Sequence, residues 1–279
     1  MTSEAYALQT SQEIGRAPTP PAIASIMFRI WEKFLRFDPA DPMWPNRDRF
    51  VLAANARRSF HRMIQRAGIR PVNADYAHLG ELALSGSSSR TFTNREAIEI
   101  SVRMAIASRW LGQRFNRPGF GLFDHQVVAL AGDDMVAPDP ADQLAIKRSV
   151  TLAGALRLSH LTWICICERN DLKERTIHFH AEGWNVVRAD LEKLPVALRV
   201  SRSWSARPTL ILLSGDPPVR EFSAADLRQR GRDLHTEWME KVDSYGAHHP
   251  ELAEELAATA DKLPNHLSDD LALRCFSPF

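Results

Sequence analysis

Three cysteines in 279 residues are too few for a disulfide scaffold. Cys165 and Cys167 stand two apart in a strand-like run, a same-face spacing that suits packing better than a bridge. Charge of one sign is lacking too. The 35 Lys and Arg nearly cancel the 34 Asp and Glu, a net of +1, so no bulk attraction to nucleic acid or an anionic membrane organises the chain. No uninterrupted apolar run is long enough to span a bilayer. The opening residues, MTSEAYALQTSQE, carry acids and lack the basic-then-apolar order of a secretory signal. A cytoplasmic location is the expectation. Internal repeats, low-complexity tracts, a Cys-x-x-Cys pair, a Walker-type loop and a Ser-His-Asp order are all missing, which excludes the commonest metal, nucleotide and acyl-transfer signatures. What remains, 44% hydrophobic and 25% charged, is an ordinary soluble globular profile, long enough for one large or two small domains.

The stretch at 123–135, FDHQVVALAGDDM, organises the rest. Val127, Val128, Ala129 and Leu130 form the short apolar run of a parallel strand covered on both faces. Gly132 then permits a turn, and Asp133 and Asp134 place carboxylates just beyond the strand's carboxyl end, the edge where open α/β sheets bind ligands. A carboxylate there, followed by a helix N-terminus, suits a divalent cation holding a diphosphate. The alternative is a strand that simply ends in a solvated Asp-Asp turn.

Around it the chain alternates. A lead-in (1–21) ends in APTPP, and a helix follows from about Ala22 to Arg36, with Ile23, Ile26, Met27, Ile30, Trp31 and Phe34 on one face. A Pro- and Asp-rich loop runs into the strand-like Phe50-Val51-Leu52. An amphipathic helix spans about 95–115, stopped by Pro118 and Gly119. A helix over 151–158, a β-rich run at 161–167, and strands within 180–190 and 207–215 come next. Strands at 124–131, 161–167, 184–188 and 209–213 should be neighbours in one parallel sheet, carboxyl ends together. The expected fold class is α/β: a mainly parallel sheet flanked by helices over 22–232, then a helical connector or arm over 233–279.

Several separated motifs share a resemblance. Pro42, Trp44, Arg47, Asp48, Arg49, Phe50, Val51 and Leu52 match a P-x-W-x-x-R-D-R-F-V-L pattern. Residues 115–119 read F-N-R-P-G, residues 181–186 read A-E-G-W-N-V, and residues 247–253 read A-H-H-P-E-L-A. Together they resemble the transketolase family over roughly residues 15–265, ending where that family's pyrimidine-binding domain would begin. The resemblance implies a thiamine-diphosphate-binding fold, thiamine diphosphate and Mg²⁺ as cofactors, and transfer of a two-carbon ketol unit. Asp133 falls on the metal-binding aspartate of the family's Gly-Asp-Gly motif, making Gly132, Asp133 and Asp134 the cofactor-binding candidates. Glu168 takes the position of the second metal ligand, an asparagine in the family, and Asn170 reaches it only with a two-residue slip. Glutamate is a competent oxygen ligand for Mg²⁺.

The chain also departs from the family. Asp134 replaces a glycine, adding a charge that either repels the phosphates or supplies a second metal oxygen. The histidine motifs near the N-terminus and after the R-D-R-F-V-L run read Ile14-Gly15-Arg16-Ala17-Pro18 and Asn55-Ala56-Arg57-Arg58-Ser59. The Gly-rich loop that lines the cofactor has become residues 92–97, F-T-N-R-E-A. No catalytic residue is assigned. Arg16, Arg57 and Arg58 either bind an anionic sugar phosphate or sit in solvent. His125 suits a structural hydrogen bond. His178 and His180 alternate as on one strand face, without a third metal ligand in local spacing.

Two functions compete. In one, the chain is a subunit of a split transketolase-type enzyme whose pyrimidine domain, with its activating glutamate, sits on another chain. In the other it is a catalytically inactive paralogue acting as an interaction or regulatory subunit. Either implies association, with a pyrimidine-domain chain or with itself, through a face of the 95–115 helix formed by Ile98, Val102, Ala105 and Ile106, with Leu111 nearby. The face of the 234–264 connector that carries Leu252 and Leu256 either docks another unit or packs on its own sheet.

Overall fold

Uninterrupted apolar runs become strands here because both faces of the sheet are covered. A computed structural model describes residues 20–41, 44–52, 94–131, 140–166, 172–204, 206–214 and 224–259. The strands β1 (Arg49–Leu52), β2 (Val127–Ala131), β3 (Leu161–Ile166), β4 (Asn185–Ala189) and β5 (Thr209–Leu213) form one sheet in the order β1-β2-β3-β5-β4. Every pairing is parallel. All four strands expected from the sequence thus share one sheet with their carboxyl ends on one edge, and β1 adds a fifth at the rim.

Alternate residues of each strand serve opposite layers. Val128, Leu130, Ile164 and Ile211 meet the helices α1 (Pro20–Lys33) and α5 (Leu194–Ser203). Val127, Ala129, Trp163 and Leu210 meet the helices α2 (Asn94–Phe115), α3 (Pro140–Ala155) and α4 (Leu172–Ala181). The buried tryptophans of this second layer keep their indole N–H groups bonded, Trp163 to Ser101 Oγ (2.9 Å) and Trp184 to the Val150 carbonyl (2.9 Å). The strand pair β2–β3 is the middle of the fold: each residue from Val127 to Ala131 has a partner from Leu161 to Cys165.

Three expectations are corrected. Ile98, Val102 and Ala105 of α2 are buried against the chain's own sheet, with Ile106 packed at their margin, so this face is not free for a partner. Periodicity identified which residues share a face but not what covers it. The third helix starts at Pro140, well before residue 151, and ends at Ala155; a proline suits a first helical turn. His178 and His180 lie on helix α4, not on a strand. Residues two apart on a helix point in widely different directions, so they share no face. Phe179 between them is the buried one, edge-on to Trp163 and Trp184, and Gly183 (φ 83°) turns the chain into β4.

The connector packs on its own domain. Helix α6 (Ala224–His248) and the helical residues 250–259 bring Trp238, Tyr245 and Leu256 against Trp44, Leu111, Phe115 and Phe123. Arg230 of α6 donates to the carbonyls of Trp31 (2.7 Å), Leu35 (2.8 Å) and Glu32, which satisfies the open end of α1. His235 stacks on Trp44 at 5.2 Å, with Nδ1 2.9 Å from an Asp38 oxygen.

Candidate functional site

The carboxyl edge is defined by the ends of β1 to β5: Leu52, Ala131, Ile166, Ala189 and Leu213. Ala131 and Cys165 are register partners, so the ends of β2 and β3 lie side by side. Gly132, Asp133, Asp134, Glu168 and Asn170, as well as Arg16, Arg57 and Arg58, lie outside the described residues. Among the described residues no group of three His, Cys, Asp or Glu is placed to hold a metal ion.

The described polar groups at this edge were not legible as a set. Arg175, in the first turns of α4, points Nη1 at the buried Cys165 Sγ (3.2 Å) and ties that helix back to β3. Arg95, in the first turn of α2, pairs with Asp142, in the first turn of α3 (3.1 Å). Asp190 follows β4 and accepts from the Lys193 backbone N–H (2.8 Å); that bond, with the Lys193 side chain, holds its carboxyl below the usual range. Each contact joins residues too far apart, or too ordinary in type, to form a motif.

The amino edge carries the denser chemistry. Asp48, immediately before β1, has a fully buried carboxylate. It accepts from the Arg36 N–H (2.9 Å), the Arg36 guanidinium (3.3 Å), the Gln126 N–H (2.8 Å) and Arg202. Arg36 also reaches Asp124 (2.8 Å), which takes a further bond from Asn46 (2.9 Å). Partial desolvation opposes ionisation of Asp124, but the Arg36 charge and these bonds outweigh it and leave its carboxyl below the usual range. The R-D-R-F-V-L run therefore fastens α1, β1, β2 and α5 together at the end of the sheet away from the carboxyl edge. Its role is architectural.

His125 belongs to the same edge. Ser108 Oγ donates to its backbone carbonyl (3.2 Å), while ring Nδ1 is buried with no partner among the described residues. The structural role expected for this residue falls to its backbone. Desolvation first, then the charges of Arg49 and Arg36, pushes the imidazole well below its ordinary range; His160 is lowered chiefly by burial. Both groups bind a proton more weakly folded than unfolded. Stability is therefore full above the unfolded imidazole value, about 6.5, and falls as pH drops below it towards the folded values. The melting temperature should decline between about pH 6.5 and pH 5, and His125→Gln should flatten that limb. A melting temperature that stays level over this interval would contradict the assignment.

A parallel sheet with helices on both faces and an ion network locking its amino edge defines an open α/β domain, the class whose members bind ligands at the carboxyl edge of the sheet. The particular family follows from comparison: the model described as "Transketolase, thiamine diphosphate binding domain" matches residues 7–65 and 95–215, more than half of the chain. The chain belongs to the transketolase family, through that domain. A chromosomal transketolase of Cupriavidus necator is 27% identical over 325 residues, covering 92% of this chain and 47% of the relative. A Bacillus subtilis transketolase is 27% identical over 229 residues, 71% of this chain and 32% of the relative. The chain thus spans about half the length, or less, of the curated relatives it matches. Among solved structures, a Pichia stipitis transketolase in complex with sedoheptulose 7-phosphate superposes with a TM-score of 0.67 at 17% identity, covering 87% of this chain and 49% of that one. A Leishmania mexicana transketolase gives 0.63 at 18% identity, covering 86% and 48%. These likenesses establish the same α/β fold. No helix among the described residues is long and apolar enough to cross a membrane.

Proposed function

We propose that this chain is the diphosphate-binding part of a transketolase-type enzyme that moves a two-carbon ketol unit from a ketose to an aldose acceptor, the pyrimidine-binding part coming from another chain. The observation that carries this reading is the side-by-side ending of β2 and β3 within the family match. It sets the frame in which Asp133 from one strand end and Glu168, or Asn170, from the next would share a Mg²⁺ ion. Gly132 would let the backbone approach the diphosphate. The match to the thiamine diphosphate binding domain supports that cofactor, which would supply the carbanion chemistry; the protein's part would be to hold it and the metal.

The departures from the family set the expected affinity. Asp134 and the F-T-N-R-E-A segment at 92–97 add bulk and charge where backbone N–H groups would cradle the phosphates. The isolated chain should therefore bind thiamine diphosphate weakly even with Mg²⁺, and a pyrimidine-domain chain should strengthen binding and bring ketol transfer. Calorimetric titration, alone and with that partner, checks this. Micromolar binding by the isolated chain, abolished by Asp133→Ala, would overturn the reading of a weakened cradle. Ketol transfer that survives Asp133→Ala would overturn the metal assignment.

The second reading, an inactive interaction or regulatory subunit, is favoured by Arg57, Arg58 and Arg16-Ala17 standing where the resemblance expects histidine motifs. Partner-dependent binding without any ketol transfer is the outcome that selects it.

A further inference from the structure

Strand β4 is the last of the sheet and pairs only with β5 among the described residues. The Asn185 N–H donates to the Pro208 carbonyl (2.9 Å), and the Ala189 carbonyl accepts from the Ser214 N–H (3.1 Å). Residues 185, 187 and 189 therefore turn their backbone groups to β5. The alternation of a parallel ladder turns those of Val186 and Arg188 the other way. That side of β4 is a template for a further strand. The Arg188 side chain does not obstruct it, because it lies against the α4 layer, donating to Thr176 Oγ1 (3.1 Å).

Helix α5 overhangs the same side. It packs on both β4 and β5, and Arg202 shows how it is turned, with Cζ 4.7 Å from the centroid of the Phe34 ring. Phe34 closes α1, whose end is tied to Asp48 at β1, so α1 lies on the side of α5 remote from the open edge. Val200 and Trp204 each stand two residues from Arg202, about 160° round a helix. They point away from α1, over the open edge. With Val196 they form an apolar row at i, i+4 and i+8, the three side chains being 52%, 36% and 36% exposed in chain order.

We propose that this chain pairs with a second copy of itself through β4, antiparallel, so that one sheet runs through both copies. The inference goes beyond the function proposed above and does not depend on it. Centred on Val187, the pairing uses all four outward backbone groups, Val186 of each copy bonding Arg188 of the other. Spacing favours a second copy over a lone strand from another protein. Paired strands lie about 4.8 Å apart, which puts a helix seated between β4 and β5 roughly 5 Å from the two-fold axis. The two α5 helices then lie about 10 Å apart, the distance at which helices pack. Their rows run antiparallel, with the valines meeting in the middle and a tryptophan at either end. Lys193, on the same flank, brings its own counter-charge in Asp190 (3.2 Å). About 17 Å of strand by roughly 30 Å through helix, sheet and helix is a footprint of about 500 Å² a side. The total of about 1,000 Å² is the low end for a specific interface, so the dimer should be reversible.

The test is sedimentation velocity of the full chain across the micromolar range, with amide exchange followed at low and high concentration. A reversible monomer–dimer equilibrium is expected, with exchange at Val186 and Arg188 slowed as the dimer forms. Val200→Glu sets two carboxylates near the two-fold axis and should weaken the dimer at least about tenfold. Val186→Pro removes an N–H that no bond to β5 uses, and should weaken it by at least about as much. Ile177→Glu, on the outer side of α4 at a residue 62% exposed, should leave it unchanged. Melting curves check that each variant is folded. Val200 is exposed enough for a carboxylate to leave the fold intact, so the outcome does not hang on the proline variant. A chain that stays monomeric throughout overturns the proposal. So does a dimer that Val200→Glu leaves intact, or one in which exchange at Val186 and Arg188 is not slowed.

Discussion

Gly231→Ala should lower stability by about 3 kcal/mol, the upper range for forcing an extra methyl into packed backbone, and the melting temperature by roughly 10 °C. A Cβ at this position would lie 2.2 Å from the Phe37 carbonyl oxygen, 2.9 Å from Asp38 Cα and 3.1 Å from the Phe37 carbonyl carbon. All three are backbone atoms, so no side chain can rotate away. Helix α6 would have to lift, straining the bonds from Arg230 to the end of α1 and the contact between His235 and Asp38. The same helix supplies its own control. A Cβ at Gly246 would meet only Ala253 Cβ at an ordinary 3.7 Å, so Gly246→Ala should be neutral or stabilising by up to about 1 kcal/mol through helix propensity. Urea denaturation of the two variants separates the cases. A Gly231→Ala protein as stable as the parent would mean that the 37–38 segment yields without cost.

Asp48→Ala should be comparably damaging, costing about 3–5 kcal/mol, as for other buried ion pairs that lose one partner. The carboxylate has no exposed surface and serves Arg36, Arg202 and two backbone N–H groups. Its removal would leave the Gln126 and Arg36 N–H groups without their acceptor and two guanidiniums facing each other. Asp48→Asn keeps an oxygen for some of these donors and should fall between the two. Replacing the pair-forming Lys241 or Glu237 on exposed α6, by contrast, should change stability by less than about 1 kcal/mol, although their ion pair is only 2.7 Å long. Urea midpoints rank the set. An Asp48→Ala midpoint matching the parent would show that water replaces the carboxylate at little cost.

How much of this was readable depended on the range of the interactions. VVALA, LTWICI and TLILL announce themselves as strands because a sheet covered on both faces admits no polar alternation; their burial is nearly complete. Strand β4 is half-buried and stood out mainly by the A-E-G-W-N-V match. The alternation in His178-Phe179-His180 imitated a strand, since three residues cannot distinguish a period of 2 from one of 3.6 when only the middle one is buried. At the candidate site, the turn after the 127–130 run pointed to Asp133 as a strand-end carboxylate, whereas Glu168 came only from the resemblance to the family. Arg95 with Asp142 was beyond reach, because their meeting depends on two helices crossing the sheet in the same direction. Asp48 illustrates the same limit. Its partners lie 12 and 154 residues away, and only the folded order β1-β2-β3-β5-β4 brings the ends of α1 and α5 to it.

The position of that carboxylate has an evolutionary consequence. What holds the sheet together at one rim is separated by the full length of the strands from the rim where chemistry would occur. Substitutions at the reactive rim can therefore accumulate without passing through unstable intermediates. A lineage can change side chains there while selection on folding alone preserves the other end. The domain is thereby free to change what it binds, or to cease catalysis, and still be inherited as a folded unit.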